Sequence, residues 1–170
     1  MVYYSGFSLK EDISFFEKYL KTGEYNVAGF SYGAIKAFEY TLTCKERVDV
    51  LQLFSPAFFQ TKPQSFKRAQ MMAYKKDQTT YLSNFIRGCF APHELKETLH
   101  VSTKESELSE LLHYEWDVEK LKAIVSSGVQ VEVYLGSEDK IIDVMGAKEF
   151  FLPYATTYLI NGANHFLQTN

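Results

Sequence analysis

The chain has 170 residues, 46% of them hydrophobic and 16% aromatic, with a formal net charge of -3 at pH 7. That length gives a prior of one domain, able to bury most of the apolar surface its unfolded chain exposes. The negative balance argues against a general nucleic-acid binder, and no apolar run approaches the length of a membrane span.

The N-terminus, Met-Val-Tyr-Tyr-Ser-Gly, has no basic segment followed by an apolar run, so no signal peptide is expected. Cys44 and Cys89 show neither metal-type spacing nor secretory context. They read as reduced, buried thiols of a cytoplasmic protein.

Val2-Tyr3-Tyr4 reads as a short strand broken by Ser5-Gly6. From Leu9 to Leu20 apolar and charged residues alternate at helical spacing, with Ile13, Phe16 and Leu20 on one face. The next stretch, Asn26 to Ala37, is an apolar strand, a Gly29-Phe30-Ser31-Tyr32-Gly33 turn and a helix of small and apolar residues. A nucleophile held between strand and helix needs such a tight turn, with its oxygen exposed and its backbone strained. Glycines two residues either side leave room where helix and strand pass closely. The helix N-terminus aims free N–H groups at a developing anion.

Lys45 to Asp49 form a charged turn, and Val48 to Phe54 a strand buried on both faces. Two strands separated by a helix predict parallel βαβ units. Residues 57–116 lose the alternation and carry helical patterning. A structureless loop of that length is foreign to a compact domain, so an inserted helical cap is expected. Its charge is split: residues 57–90 carry a balance of +5 and residues 94–119 one of -6. Lys62, Lys67, Arg68, Lys75 and Lys76 therefore form a candidate docking patch for an acidic partner. The alternative is a solvated face paired with the acidic half of the cap.

Asp117 to Ser127 reads as a helix ended by Gly128, Val129 to Leu135 as a strand, Ala147 to Phe151 as a short helix, and Thr156 to Ile160 as the last strand.

Ser31, Asp139 and His165 each follow the C-terminal end of an expected parallel strand, the edge where open α/β sheets place their active sites. Their chain order is that of one serine-hydrolase architecture. A serine hydroxyl needs an imidazole to take its proton, and a carboxylate must hold that imidazole in one tautomer. Glu138 and Asp143 are rival acids, and His93, His100 and His113 are rival bases without the strand-end position. The amides of Phe7 and Tyr32 are the candidate oxyanion donors. The histidines lack ligand spacing, so no metal is expected, and the chemistry needs no cofactor.

Ser5-Gly6-Phe7-Ser8-Leu9, Gly29 to Gly33, Gly136 to Ile142 and Gly162-Ala163-Asn164-His165-Phe166 together resemble the four signature turns of α/β-hydrolases. More narrowly, the chain resembles the carboxylesterases of biotin synthesis that remove the methyl ester from pimeloyl-acyl-carrier-protein, in particular their compact version from epsilon-proteobacteria. Two departures stand out: Ser5-Gly6 replaces the usual His-Gly, and the distance from Gly6 to Ser31 allows only one helix. The resemblance implies a minimal α/β-hydrolase fold, with a mostly parallel sheet of about five strands and a helical cap over 57–116, in one domain spanning 1–170. It implies a methyl-pimeloyl-bearing acyl carrier protein as partner, meeting the basic patch, with no role for nucleic acid or membrane. A thioesterase or general short-chain esterase with the same triad is the second reading, and a catalytically silent scaffold the third.

Overall fold

The computed structural model describes residues 1–170. Five strands form one all-parallel sheet: β1 (Val2–Tyr4), β3 (Asn26–Phe30), β4 (Val50–Phe54), β6 (Gln130–Gly136) and β7 (Thr156–Ile160), in the order β1-β3-β4-β6-β7. The register aligns Phe30, Phe54 and Tyr134, so β3 and β4 end level and β6 runs two residues further, to Gly136. Both edges of the sheet are open, and on β7 Tyr158 and Leu159 are exposed.

The period-two alternation of the strands gives the sheet two different faces. On one, Val27, Leu51, Leu53, Val131, Val133 and Leu135 belong to the larger apolar core. Helices α1 (Tyr32–Thr43), α5 (Val118–Ser126) and α6 (Val144–Phe151) pack against the strands. On the other, Phe30, Phe54 and Tyr134 meet an aromatic cluster of Phe16, Phe90 and Phe166. Lower on that face sit two buried polar side chains, Gln52 and Glu132. They are satisfied within a network: Lys21 Nζ lies 2.5 Å from Glu132, and Gln52 accepts the Lys21 N–H at 2.8 Å. Tyr134 donates to Glu132 at 2.9 Å. Burial of such groups is tolerated because each finds a partner.

The helix expected over Leu9–Leu20 is not formed as such. Leu9–Lys10 is a two-residue strand, β2, paired antiparallel with β5 (Leu99–His100), and only Asp12–Phe16 winds, as a 3₁₀ turn. Two-residue strands leave no periodicity to read. Ser8 and Glu11 adopt positive φ of 65° and 58°, which interrupts a helix that spacing alone would have continued.

Residues 57–116 hold α2 (Gln64–Lys76), α3 (Gln78–Phe90), β5 and α4 (Glu105–His113). The two ends of this segment meet. Trp116 donates its indole N–H to the Ala57 carbonyl at 2.9 Å and its amide to Gln60 at 2.7 Å. The segment therefore leaves and rejoins the sheet domain at one point, with Trp116 wedged edge-on against Phe38 and Phe151. No helix is long and apolar enough to cross a membrane.

Candidate active site

Ser31 stands between β3 and α1, as the N-cap of that helix, with φ 53° and ψ -113°. This is a sparsely populated conformation for a residue with a Cβ, and it persists because the surroundings over-determine it. A Cβ on Gly29 would lie 2.2 Å from the Gly33 carbonyl oxygen, and one on Gly33 only 2.0 Å from that of Tyr4. The glycines flanking Ser31 thus allow β1, β3 and α1 to converge. The Ser31 N–H is held by the Phe54 carbonyl at 2.9 Å, and its carbonyl accepts from Ala34 and Ala57.

His165 follows β7 through a turn in which Gly162 takes φ 74°. Asn164 pins that turn to the end of α3, donating to the Phe90 carbonyl at 2.7 Å. His93 Nε2 lies 2.7 Å from the Gly162 carbonyl. The structure thus gives His93 a role in bracing the turn that carries His165. His100 is paired with Thr98, and His113 with the Ser109 carbonyl.

Asp139 follows β6. Gly136 there is forced by close approach, since a Cβ would meet the Asn164 carbonyl at 2.3 Å. One carboxylate oxygen of Asp139 accepts the Ile141 N–H at 2.7 Å, and the other lies 2.6 Å from His165 Nδ1. His165 Nε2 is in turn 2.9 Å from Ser31 Oγ. With the carboxylate at Nδ1, the proton of the neutral ring sits there, and Nε2 is left to accept from the hydroxyl. All three residues are buried, with exposures of 2% for Ser31, 0% for His165 and 7% for Asp139.

The rival acids are engaged elsewhere. Glu138 pairs with Lys140 at the surface. Asp143 caps α6 through Gly146 and accepts the Thr61 hydroxyl at 2.7 Å. The Thr61 hydrogen bond, followed by that from Gly146, holds its carboxyl below the usual range. Cys89 is fully enclosed, and burial, then the nearby Asp139 charge, pushes its thiol up, which makes it a packing residue rather than a nucleophile.

Neither the Phe7 nor the Tyr32 N–H donates to any group of the protein. The Phe7 ring packs edge-on against Tyr32, and it also touches Tyr74 of α2 and Phe85 of α3. The Tyr32 hydroxyl donates to Glu110 of α4 at 2.6 Å. The side chains on both candidate oxyanion amides are therefore gripped by the 57–116 segment.

A cavity of about 550 Å³ lies between α2, α3, α4 and the loop after β6. Phe59, Phe66, Tyr81, Phe85, Leu112 and Ile141 supply its apolar walls, and Lys76, Asp77 and Lys140 also line it. Ile141 is two residues past Asp139 and Phe85 touches Phe7, while Ser31, Asp139, His165, Phe7 and Tyr32 do not themselves line the cavity.

One basic residue of the expected docking patch does not reach the surface. Lys67 is buried, with 4% exposure. Lys75 is paired with Glu105 at 2.8 Å, joining the basic and acidic halves of the segment. Lys62 lies over the Phe66 ring. Arg68 and Lys76 are exposed. No group of three or more His, Cys, Asp or Glu residues is placed to hold a metal ion.

No protein-family model matches the chain, and no curated sequence does. Solved structures do. Est816, an N-acyl homoserine lactone degrading enzyme, aligns with TM-score 0.68 at 14% identity over 99% of this chain and 86% of its own. BioG from Haemophilus influenzae aligns with TM-score 0.61 at 11% identity, over 98% of this chain and 88% of its own. Carboxylesterase CesB from Bacillus subtilis aligns with TM-score 0.58 at 17% identity, over 92% of this chain. The chain spans little more than half the length, 53–59%, of several hydrolases it matches. The parallel five-stranded sheet and these neighbours define an α/β-hydrolase fold. At these identities the likeness is one of fold.

Proposed function

We propose that this protein is a serine carboxylesterase, and that its substrate is an acyl chain ending in a methyl ester and carried by an acyl carrier protein. The continuous hydrogen-bonded line from Asp139 through His165 to Ser31 carries the esterase reading. In that mechanism Ser31 Oγ attacks the ester carbonyl while His165 Nε2 takes its proton. The amides of Phe7 and Tyr32 receive the oxyanion, each worth roughly 3 kcal/mol in the transition state. His165 returns the proton to the leaving methoxide, methanol departs, and a water deprotonated by His165 releases the carboxylate and restores Ser31.

The apolar cavity of about 550 Å³ supports a methylene chain as the acyl group, each buried methylene contributing about 0.8 kcal/mol. The narrower resemblance of the chain to the carboxylesterases of biotin synthesis suggests a pimeloyl chain. Arg68 and Lys76, with Lys62 and Lys75 beside them, would meet the acidic carrier protein, and Lys67 is too buried to join them. A thioesterase or general short-chain esterase would use the same triad.

Mass spectrometry of methyl pimeloyl-acyl-carrier-protein, incubated with the wild type and with Ser31→Ala, separates these readings. Conversion of the methyl ester to the free acid by the wild type alone, with the chain still attached, is the expected result. Release of the whole acyl chain would mean a thioesterase. Cleavage of small aryl esters with the carrier substrate intact would mean a general esterase. No hydrolysis of any ester would overturn the proposal.

A further inference from the structure

Beneath the turn that presents Phe7 lies a carboxylate that the triad does not use. Asp12 is 2% exposed. One of its oxygens accepts the Gly6 N–H at 2.8 Å, and the other has no hydrogen-bond partner. The Tyr3 phenol, itself buried, lies beside it. A buried carboxylate is costly, and burial pushes the Asp12 carboxyl up, the Gly6 hydrogen bond opposing that.

What it holds is one glycine. Gly6 is confined by the Phe30 ring, which a Cβ would meet at 2.7 Å, so any side chain there would have to displace that ring. Glycine is also the residue that most readily flips its peptide planes. Two hydrogen bonds prevent this. Asp12 fixes the peptide before Gly6 by binding its N–H, and the Leu9 N–H fixes the peptide after it by binding the Gly6 carbonyl at 3.1 Å. In a planar trans peptide the C=O and N–H point in opposite directions. With the Gly6 carbonyl committed to Leu9, the Phe7 N–H must face the other way, and it is left unpaired.

We infer that Asp12 is a positioning residue for the oxyanion hole, locking the Gly6 backbone so that the Phe7 amide stays aimed at the developing oxyanion. This rests on the esterase reading. Asp12 supplies from inside the chain, six residues on, a support for a turn that opens with Ser5-Gly6. The hydrogen-bond acceptor is what matters, not the charge.

The test compares wild type, Asp12→Ala and Asp12→Asn on a soluble aryl ester, with active sites counted by a fluorophosphonate so that misfolded protein does not weigh on kcat. Loss of one oxyanion donor costs about 10²–10³ in rate. Asp12→Ala should lose up to that factor in kcat with KM little changed, and Asp12→Asn should restore most of it. Affinity for a trifluoromethyl ketone, whose adduct places an oxyanion in the hole, should fall with kcat in Asp12→Ala. Hydrogen exchange at the Gly6 amide, slow in the wild type and fast in Asp12→Ala, reads the lock without any substrate. A kcat per active site that is unchanged in Asp12→Ala would overturn the inference, as would an Asp12→Asn no better than Asp12→Ala, or Gly6 exchange indifferent to the substitution. An inactive wild type would overturn the esterase reading instead, with Gly6 exchange still reporting on Asp12.

Discussion

The hydroxyl of Tyr32 and the carboxylate of Glu110 are 2.6 Å apart, which ties the residue that follows Ser31 to α4 in the segment above it. Backbone and side chain of Tyr32 thus have different partners: the N–H donates to no group of the protein, and the phenol holds α4. Removing the hydroxyl in Tyr32→Phe keeps the ring against Phe7 and loses one hydrogen bond, worth about 1 kcal/mol. Amides of α4 should then exchange about fivefold faster, by the same free energy. Exchange equal to the wild type would show that Glu110 does not restrain the helix.

Asp139→Asn should lower kcat by about 10⁴-fold, because an amide no longer selects the tautomer with the proton on Nδ1 of His165. Asp143→Ala serves as the contrast. It should leave kcat intact and cost about 1 kcal/mol of stability through loss of the α6 cap. Aryl-ester kinetics and urea denaturation on both variants check the assignment, and equal losses of kcat would undo it.

Gly33→Ala places a methyl 2.0 Å from the Tyr4 carbonyl oxygen and 2.5 Å from that of Ser5. Backbone cannot yield there without moving β1 and the oxyanion turn. A destabilisation above about 3 kcal/mol is expected, read as a lower denaturation midpoint or loss of soluble protein. A variant as stable as the wild type would mean the elbow is far looser than this packing implies.

Ala73 lines the apolar cavity between α2, α3 and α4. Ala73→Phe should shorten the longest ester accepted, while activity on acetyl esters remains. In the wild type kcat/KM should climb about fourfold per methylene until the cavity is full. A flat chain-length profile would place the acyl chain elsewhere.

Asp12 also carries a pH signature. Its carboxyl is raised above the ordinary value by burial. Between the unfolded value and the higher folded one the native state holds more protons, so stability falls as pH rises through that window and stays lower above it. Asp12→Asn removes the titration and keeps an acceptor for Gly6. Its Tm should therefore exceed the wild type's at neutral pH, by about 2–4 °C per kcal/mol. The gap should shrink as pH drops below the ordinary carboxylate range. Parallel Tm-versus-pH curves would rule this out.

The amino-acid sequence by itself determined the parallel strands, the tight turn at Ser31 and the strand-end positions of Ser31, Asp139 and His165, because each depends on a local rule. Apolar runs bounded by glycine turns make buried strands, Gly-x-Ser-x-Gly fits only where two backbones nearly touch, and strand ends gather at one edge of a parallel sheet. Only the tertiary structure decided the rest. Asp12 reads in the sequence as one more charge on a helical face, and becomes a buried prop because Ser8 and Glu11 turn the chain through positive φ. His93 reads as a surface residue of the cap, yet it braces the turn of His165 from 69 positions away. Lys67 reads as part of a basic patch, yet lies buried, because α2 packs against both α3 and α4. Such roles depend on which distant segments a side chain meets. That is fixed by packing among helices, and no spacing within one segment encodes it.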